Sequence, residues 1–138
     1  MHAVWLCYTP PDPFKLSEEW HQLTSDSYIV DVRPIDMADP VGVLAEMREL
    51  CAPGGAVLVM DERAAETFTG RSDPVEQLLY GYSVMICLPD GRSHPNSAAT
   101  GTVLRPATLR EYAARAGFAD VDILGIEHDV FRFYRLHG

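Results

Sequence analysis

Few residues of this chain have the type and spacing that chemistry requires, and most of those are acids. Asp61-Glu62 closes the apolar run Ala56-Val57-Leu58-Val59-Met60. Adjacent carboxylates at the carboxyl end of a buried strand lie where ligands enter open α/β sheets. They read either as a substrate or metal contact at a cleft rim or as a solvated strand end. His94 falls in a stretch rich in Pro, Gly, Ser and Asn, from Leu88 to Arg105. It reads as a substrate contact on a loop folded over that cleft, or as a mobile surface residue. Tyr80 and Tyr82 are two apart on a helical pattern and point different ways, so Tyr82 reads as core and Tyr80 as pocket lining. Glu127-His128-Asp129 reads as an acidic turn, because a metal held there would need ligands from far along the chain. Cys7, Cys51 and Cys87 are odd in number and widely spaced, with no CxxC. They point to buried or incidental thiols rather than to a disulfide framework or a zinc site. No G-x-S-x-G, HExxH or P-loop occurs.

Charge and length narrow the classes. Twenty acidic residues against eleven basic ones give a formal net charge of −9 over 138 residues. A nucleic-acid groove needs a basic stripe, and an anionic membrane surface needs a basic patch, so neither partner is expected. One domain fits the length, and 47% apolar residues suffice for a packed core. No apolar run approaches the roughly 20 residues of a membrane span. The N-terminus is a poor signal peptide, uncharged before its apolar part and followed by Pro10, Pro11 and Pro13, which leaves a cytoplasmic location as the expectation.

The elements that must position these residues follow from periodicity. Residues 1–24 form an irregular, proline-broken leader, with room for a short helix over Leu16–Leu23. Tyr28–Arg33 is β-branched and aromatic and reads as a strand that Pro34 ends. Asp39-Pro40 caps and opens a helix that buries Val41, Leu44, Met47 and Cys51, and Pro53-Gly54-Gly55 stops it. Ala56–Met60, apolar on both faces, is a buried strand of a parallel sheet. Asp73-Pro74 repeats the cap, and Val75, Leu78, Leu79, Tyr82 and Ile86 mark the buried face of a second helix. Pro106 opens a third helix, carrying Leu109, Tyr112, Ala113 and Ala116 on one face. Gly117 supplies a left-handed cap and Phe118 the apolar contact beyond it. Val121–Ile126 and Val130–Leu136 are strands whose short connection makes them antiparallel. The order β-α-β-α-loop-α-β-β predicts an α/β fold. The first two strands are parallel neighbours through a right-handed crossover, and the reversed last strand is third in the sheet.

That order, with its reversed terminal hairpin, resembles the second half of a class I S-adenosylmethionine-dependent methyltransferase. Several segments carry the likeness: Asp36-Met37-Ala38-Asp39-Pro40 before a helix, Ala52-Pro53-Gly54-Gly55 before a buried strand ending Asp61-Glu62, and Ala116-Gly117-Phe118 before the penultimate strand. Leu88-Pro89-Asp90-Gly91, Gly101-Thr102 and Arg105-Pro106 are similar to a small-molecule subgroup that also carries a winged-helix domain. The resemblance spans about residues 25–138. It implies a partial Rossmann-like sheet of about four strands with three main helices, and S-adenosylmethionine as cofactor. Its substrate cleft would draw on Asp36, Asp61, Glu62, Tyr80 and His94.

Two departures shape the functional expectation. The family holds its cofactor with a Gly-rich turn after the first strand, where only glycine lets the backbone approach so closely. No G-x-G-x-G occurs here, and the 24 leader residues leave no room for a βαβ unit of roughly 30. Where the subgroup places a histidine able to act as general base, this chain has Ile35. The expectation is therefore a truncated methyltransferase-like chain that is not active alone, a relic or a subunit completed by another chain. An alternative is an interaction module that dimerises through the open edge of strand 28–33. Another is a working small-molecule methyltransferase with an unfamiliar cofactor site. Residues 1–7 offer a substitute strand to cover that edge, and self-association offers a different cover.

Overall fold

A computed structural model describes residues 3–8, 28–32, 38–51, 55–70 and 73–138, the first two segments by their backbone. The elements are β1 (Ala3–Tyr8), β2 (Tyr28–Val32), α1 (Pro40–Leu50), β3 (Ala56–Glu62), α2 (Pro74–Tyr82), a π-helical turn (Ser83–Cys87), α3 (Leu88–Ser93), α4 (Pro106–Arg115), β4 (Asp120–Ile123) and β5 (Phe131–His137). The fold is mixed α/β. The expected helix over Leu16–Leu23 and most of the Pro-Gly-Gly stop lie outside the described residues, as do Ile35 and Asp36.

Local chemistry starts the helices as the sequence predicts. The Asp39 carboxylate accepts from the Gly42 N–H at 2.9 Å, and Asp73 accepts from Glu76 N–H at 2.8 Å, each with proline following in the first turn. α4 ends in a Schellman turn: Phe118 N–H donates to the Ala113 carbonyl, Gly117 N–H to Ala114, and Gly117 sits at φ +91°. Leu44 and Met47 of α1 meet Leu109 and Ala113 of α4, and Ala116 at its C-terminal cap, over Val57 and Val59 of β3 and Tyr134 and Leu136 of β5. That contact is the core. The opposite face of the same strands carries Leu58, Met60, Phe131 and Phe133, each half-buried.

The sheet differs from the expected one in two ways. Its order is β2-β1-β3-β5-β4, and every neighbouring pair is antiparallel. β2 and β3 share a direction but are not neighbours, because β1 lies between them, pairing Ala3–Cys7 with Tyr28–Val32 and Trp5–Tyr8 with Ala56–Val59. The short N-terminal strand thus fills the gap between the two strands joined by α1, and the sheet has five strands instead of four. β2 remains its terminal strand. At the other end β5 runs reversed between β3 and β4, which is the expected placement of the last strand against its two neighbours.

The second helix also departs from expectation. It buries Glu76, Leu79, Ser83 and Cys87, while Leu78, Tyr82 and Ile86 face outward beside Val84 and Met85. Leu88 does not begin a loop, since helix continues to Ser93 through the π turn. There the Leu88 N–H reaches back five residues to the Ser83 carbonyl. The wide turn lies just ahead of Pro89, whose ring would clash with the carbonyl four residues back in a regular α-helix. The helical run packs on the returning loop. Thr102 N–H donates to Ser83 Oγ at 3.2 Å, Thr102 Oγ1 donates to Cys87 Sγ, and Gly101 at φ +73° passes so close that a Cβ would lie 2.3 Å from Ser83 Oγ. The cysteines divide as well: Cys87 is a buried free thiol as expected, whereas Cys51 is disulfide-bonded. No helix among the described residues is long and apolar enough to cross a membrane.

Candidate functional site

The end of β3 carries the densest set of chemically able side chains. Asp61 and Glu62 are both buried, at 3% and 6% exposure, so neither is a solvated strand end. Among the described residues Asp61 Oδ2 has no hydrogen-bond partner, and neither has the buried hydroxyl of Tyr134. Burial holds the Asp61 carboxyl well above the usual carboxylate range, and the adjacent Glu62 pushes it the same way. Burial also raises Tyr134, against the pull of the Arg132 guanidinium. Both side chains are buried.

Register sets a cation opposite Asp61 without pairing the two. Asp61 is directly opposite Arg132 on β5, yet Arg132 Nη1 donates to the Ala64 carbonyl at 2.7 Å. Arg105, arriving just before α4, donates to the next carbonyl, that of Ala65. Two guanidinium groups therefore hold consecutive carbonyls of the segment leaving β3 and fix its path.

Arg105 does more. Its Nη2 lies 2.6 Å from Glu76 Oε1 and donates to Tyr80 Oη at 2.7 Å. Glu76 is 4% exposed and Arg105 16%, so the pair is largely desolvated. Phe68 packs edge-on against Tyr80, with centroids 6.2 Å apart, and its ring lies 5.9 Å from the Arg105 guanidinium carbon. Tyr80 thus sits in a polar cluster that ties α2 to the loops on either side. His94 stands apart: it is exposed, its N–H caps α3 on the Gly91 carbonyl, and it joins none of these groups. Of the residues singled out in the sequence, Asp61 and Glu62 come together, Tyr80 lies in the neighbouring Arg105 cluster, and His94 does not join them.

A small open pocket of about 160 Å³ lies at the carboxyl ends of β3 and β4. Arg63, Arg132, Glu127, His128, Phe131 and Ile123 line it. His128 shapes its wall, for Nδ1 accepts from the N–H groups of both Val130 and Phe131 at 3.1 Å, which assigns the ring proton to Nε2. The ring stacks at 5.0 Å on Phe131. The three arginines were not evident in the sequence. Arg63 and Arg132 become visible only once β3 is registered against β5, and Arg105 only through the loop that returns it to Glu76. Among the described residues no group of three or more His, Cys, Asp or Glu is placed to hold a metal. No protein-family model matches the chain, and no curated protein matches it.

Proposed function

We propose that these 138 residues form the substrate-side half of a class I methyltransferase-like sheet and do not bind S-adenosylmethionine by themselves. The observation that carries this reading is the β3-β5-β4 arrangement, in which the last strand runs reversed between its neighbours. β3 is entered from Gly55 and ends in Asp61-Glu62, and β4 is entered through the Ala116-Gly117-Phe118 turn. The Gly-rich strand–turn–helix that would hold the cofactor is not in the sequence. If methyl transfer occurs, that unit comes from polypeptide outside these residues, in the same chain or another. Because β1 fills the space beside β3, such a unit would meet the sheet at β2. The test is release of S-adenosylhomocysteine from S-adenosylmethionine by the purified 138-residue polypeptide with a panel of small hydroxyl and amine acceptors. No release above the blank is expected, and turnover would overturn the reading.

A second reading, an interaction module, draws on a different observation. The outward face of the helical run presents Leu78, Tyr82, Met85, Val84 and Ile86, an apolar surface of the kind that soluble monomers seldom leave contiguous. β2, as the terminal strand, offers a second route. A dimer that persists on dilution in sedimentation measurements would favour this reading, and a monomer at all concentrations would remove it.

A further inference from the structure

We propose that Cys51 is bonded to Cys7, and that this disulfide is a redox-sensitive latch, holding β1 on β3 when oxidised and letting the β1–β2 pair lift from β3 when a dithiol reduces it. The latch goes beyond the methyltransferase reading and does not depend on it.

Elimination gives the first argument. The chain has three cysteines, Cys7, Cys51 and Cys87. Cys51 is disulfide-bonded. Cys87 is a free thiol, buried on the α2–α3 run with its sulfur accepting from Thr102 Oγ1. Only Cys7 is left to take the bond.

Topology gives the second argument, independently of the count. Cys7 is directly opposite Val57 in the β1–β3 ladder. Residues directly opposite one another in an antiparallel pair share a face of the sheet. Val57 belongs to the core cluster on the face that α1 covers, and Cys51 packs against that cluster at the end of α1. The ends match as well. β1 runs antiparallel to β3, so its last residues, Cys7 and Tyr8, meet Val57 and Ala56 at the start of β3. Cys51 lies just ahead of β3 in sequence, where α1 gives way to extended backbone. Both positions are therefore at the same end and on the same face of the sheet.

Strand order shows what the bond fastens. β2 is the terminal strand and pairs with β1, so among the described residues the β1–β3 ladder is what joins these two strands to the rest of the sheet. That ladder runs only from Trp5–Val59 to Tyr8–Ala56, whereas β5 pairs with β3 along its whole length. A cross-link from Cys7 to Cys51 ties the short seam to α1 and closes the intervening chain into a loop, which restricts the opened state. Cys51 is half-buried, so a small reductant reaches the bond from outside. Reduction is thiol–disulfide exchange. A thiolate of the dithiol attacks one sulfur of the bond, and the other cysteine leaves as a thiolate that takes up a proton. The dithiol's second thiolate then closes on the first, and the remaining cysteine leaves in the same way. Two electrons and two protons pass to Cys7 and Cys51 from the dithiol, which becomes a cyclic disulfide. With the ladder open, β3 presents the unpaired N–H and C=O groups of an edge.

The experiment starts from the 138-residue chain equilibrated with glutathione disulfide. Iodoacetamide on the denatured chain should add one label before reduction, on Cys87, and three after dithiothreitol, and the oxidised digest should contain a peptide pair joining Cys7 to Cys51. Hydrogen exchange read by mass spectrometry then compares the oxidised chain with the dithiothreitol-reduced one. Amides of 3–8 and 28–32 are expected to exchange roughly tenfold or more faster after reduction, while those of α4 and β5 stay unchanged. Cys51→Ser should show the fast pattern without reductant, and Cys87→Ser should keep the slow one. The proposal is overturned by three labels before reduction, by a peptide pair joining Cys51 to Cys87, by equal exchange at 3–8 in the two redox states, or by equal acceleration throughout the chain.

Discussion

Arg105 binds Ala65, Glu76 and Tyr80 at once, and its removal leaves a specific problem. Glu76 is 4% exposed and would stay buried without its cation. Arg105→Ala is therefore expected to destabilise the fold by about 3 kcal/mol, the low end for breaking a buried pair because Arg105 keeps some solvent contact. Tyr80→Phe removes one hydrogen bond to the same guanidinium and is expected to cost about 1 kcal/mol. Urea unfolding at pH 7 measures both. Asp61 predicts a pH dependence. Its folded pKa lies above the unfolded value, so between the two the folded state holds a proton that the unfolded state has released. This contribution is complete below the unfolded pKa of about 4 and is lost as pH rises through the folded value. Asp61→Asn removes that slope. The variant should gain stability relative to the parent on going from pH 4 to pH 7, and an unchanged difference at the two pH values would show that Asp61 is ionised in the fold. The sequence pointed to Asp61 and Glu62 because they end an apolar run. It did not reveal their burial, since that depends on β5 beside them rather than on neighbours in sequence.

At the scale of elements, α4 was readable from local residues alone: Pro106 opens it, Leu109 and Ala113 define its buried face, and Gly117-Phe118 close it in the Schellman turn. The α2–α3 run was not. Its apolar periodicity pointed at Leu78, Tyr82 and Ile86, but the buried side is set by Arg105 on Glu76 and by Thr102 on Ser83 and Cys87, partners 15 to 29 residues away. Pro89 reads as a breaker until the π turn ahead of it is known. Two contrasts test this account. Leu79→Ala should cost about 2–4 kcal/mol, whereas Met85→Gln, at 71% exposure, should fall within about 0.5 kcal/mol of the parent. Gly101→Ala should cost about 2–3 kcal/mol, because φ is positive and the new Cβ meets Ser83 Oγ. Both are read from denaturant midpoints, and a larger cost at position 85 than at 79 would place the helical run the other way round.

At the scale of the whole molecule, the described residues form a sheet with α1 and α4 packed on one face and β2 as its terminal strand. The reversed hairpin of β4 and β5 was legible because their connection, residues 124–130, is far too short for a parallel crossover. The insertion of β1 between β2 and β3 was not, since only two alternating residues, Val4 and Leu6, marked that segment as strand at all. The central claim is the proposal that this sheet does not bind S-adenosylmethionine by itself. The most direct measurement is a calorimetric titration of the folded 138-residue chain with S-adenosylhomocysteine, which occupies the cofactor pocket of such enzymes and is not consumed. No saturable heat is expected up to millimolar ligand from a sample that still unfolds cooperatively. One-site binding tighter than about 100 μM, roughly −5.5 kcal/mol, would contradict it and would require a cofactor site built without a Gly-rich turn.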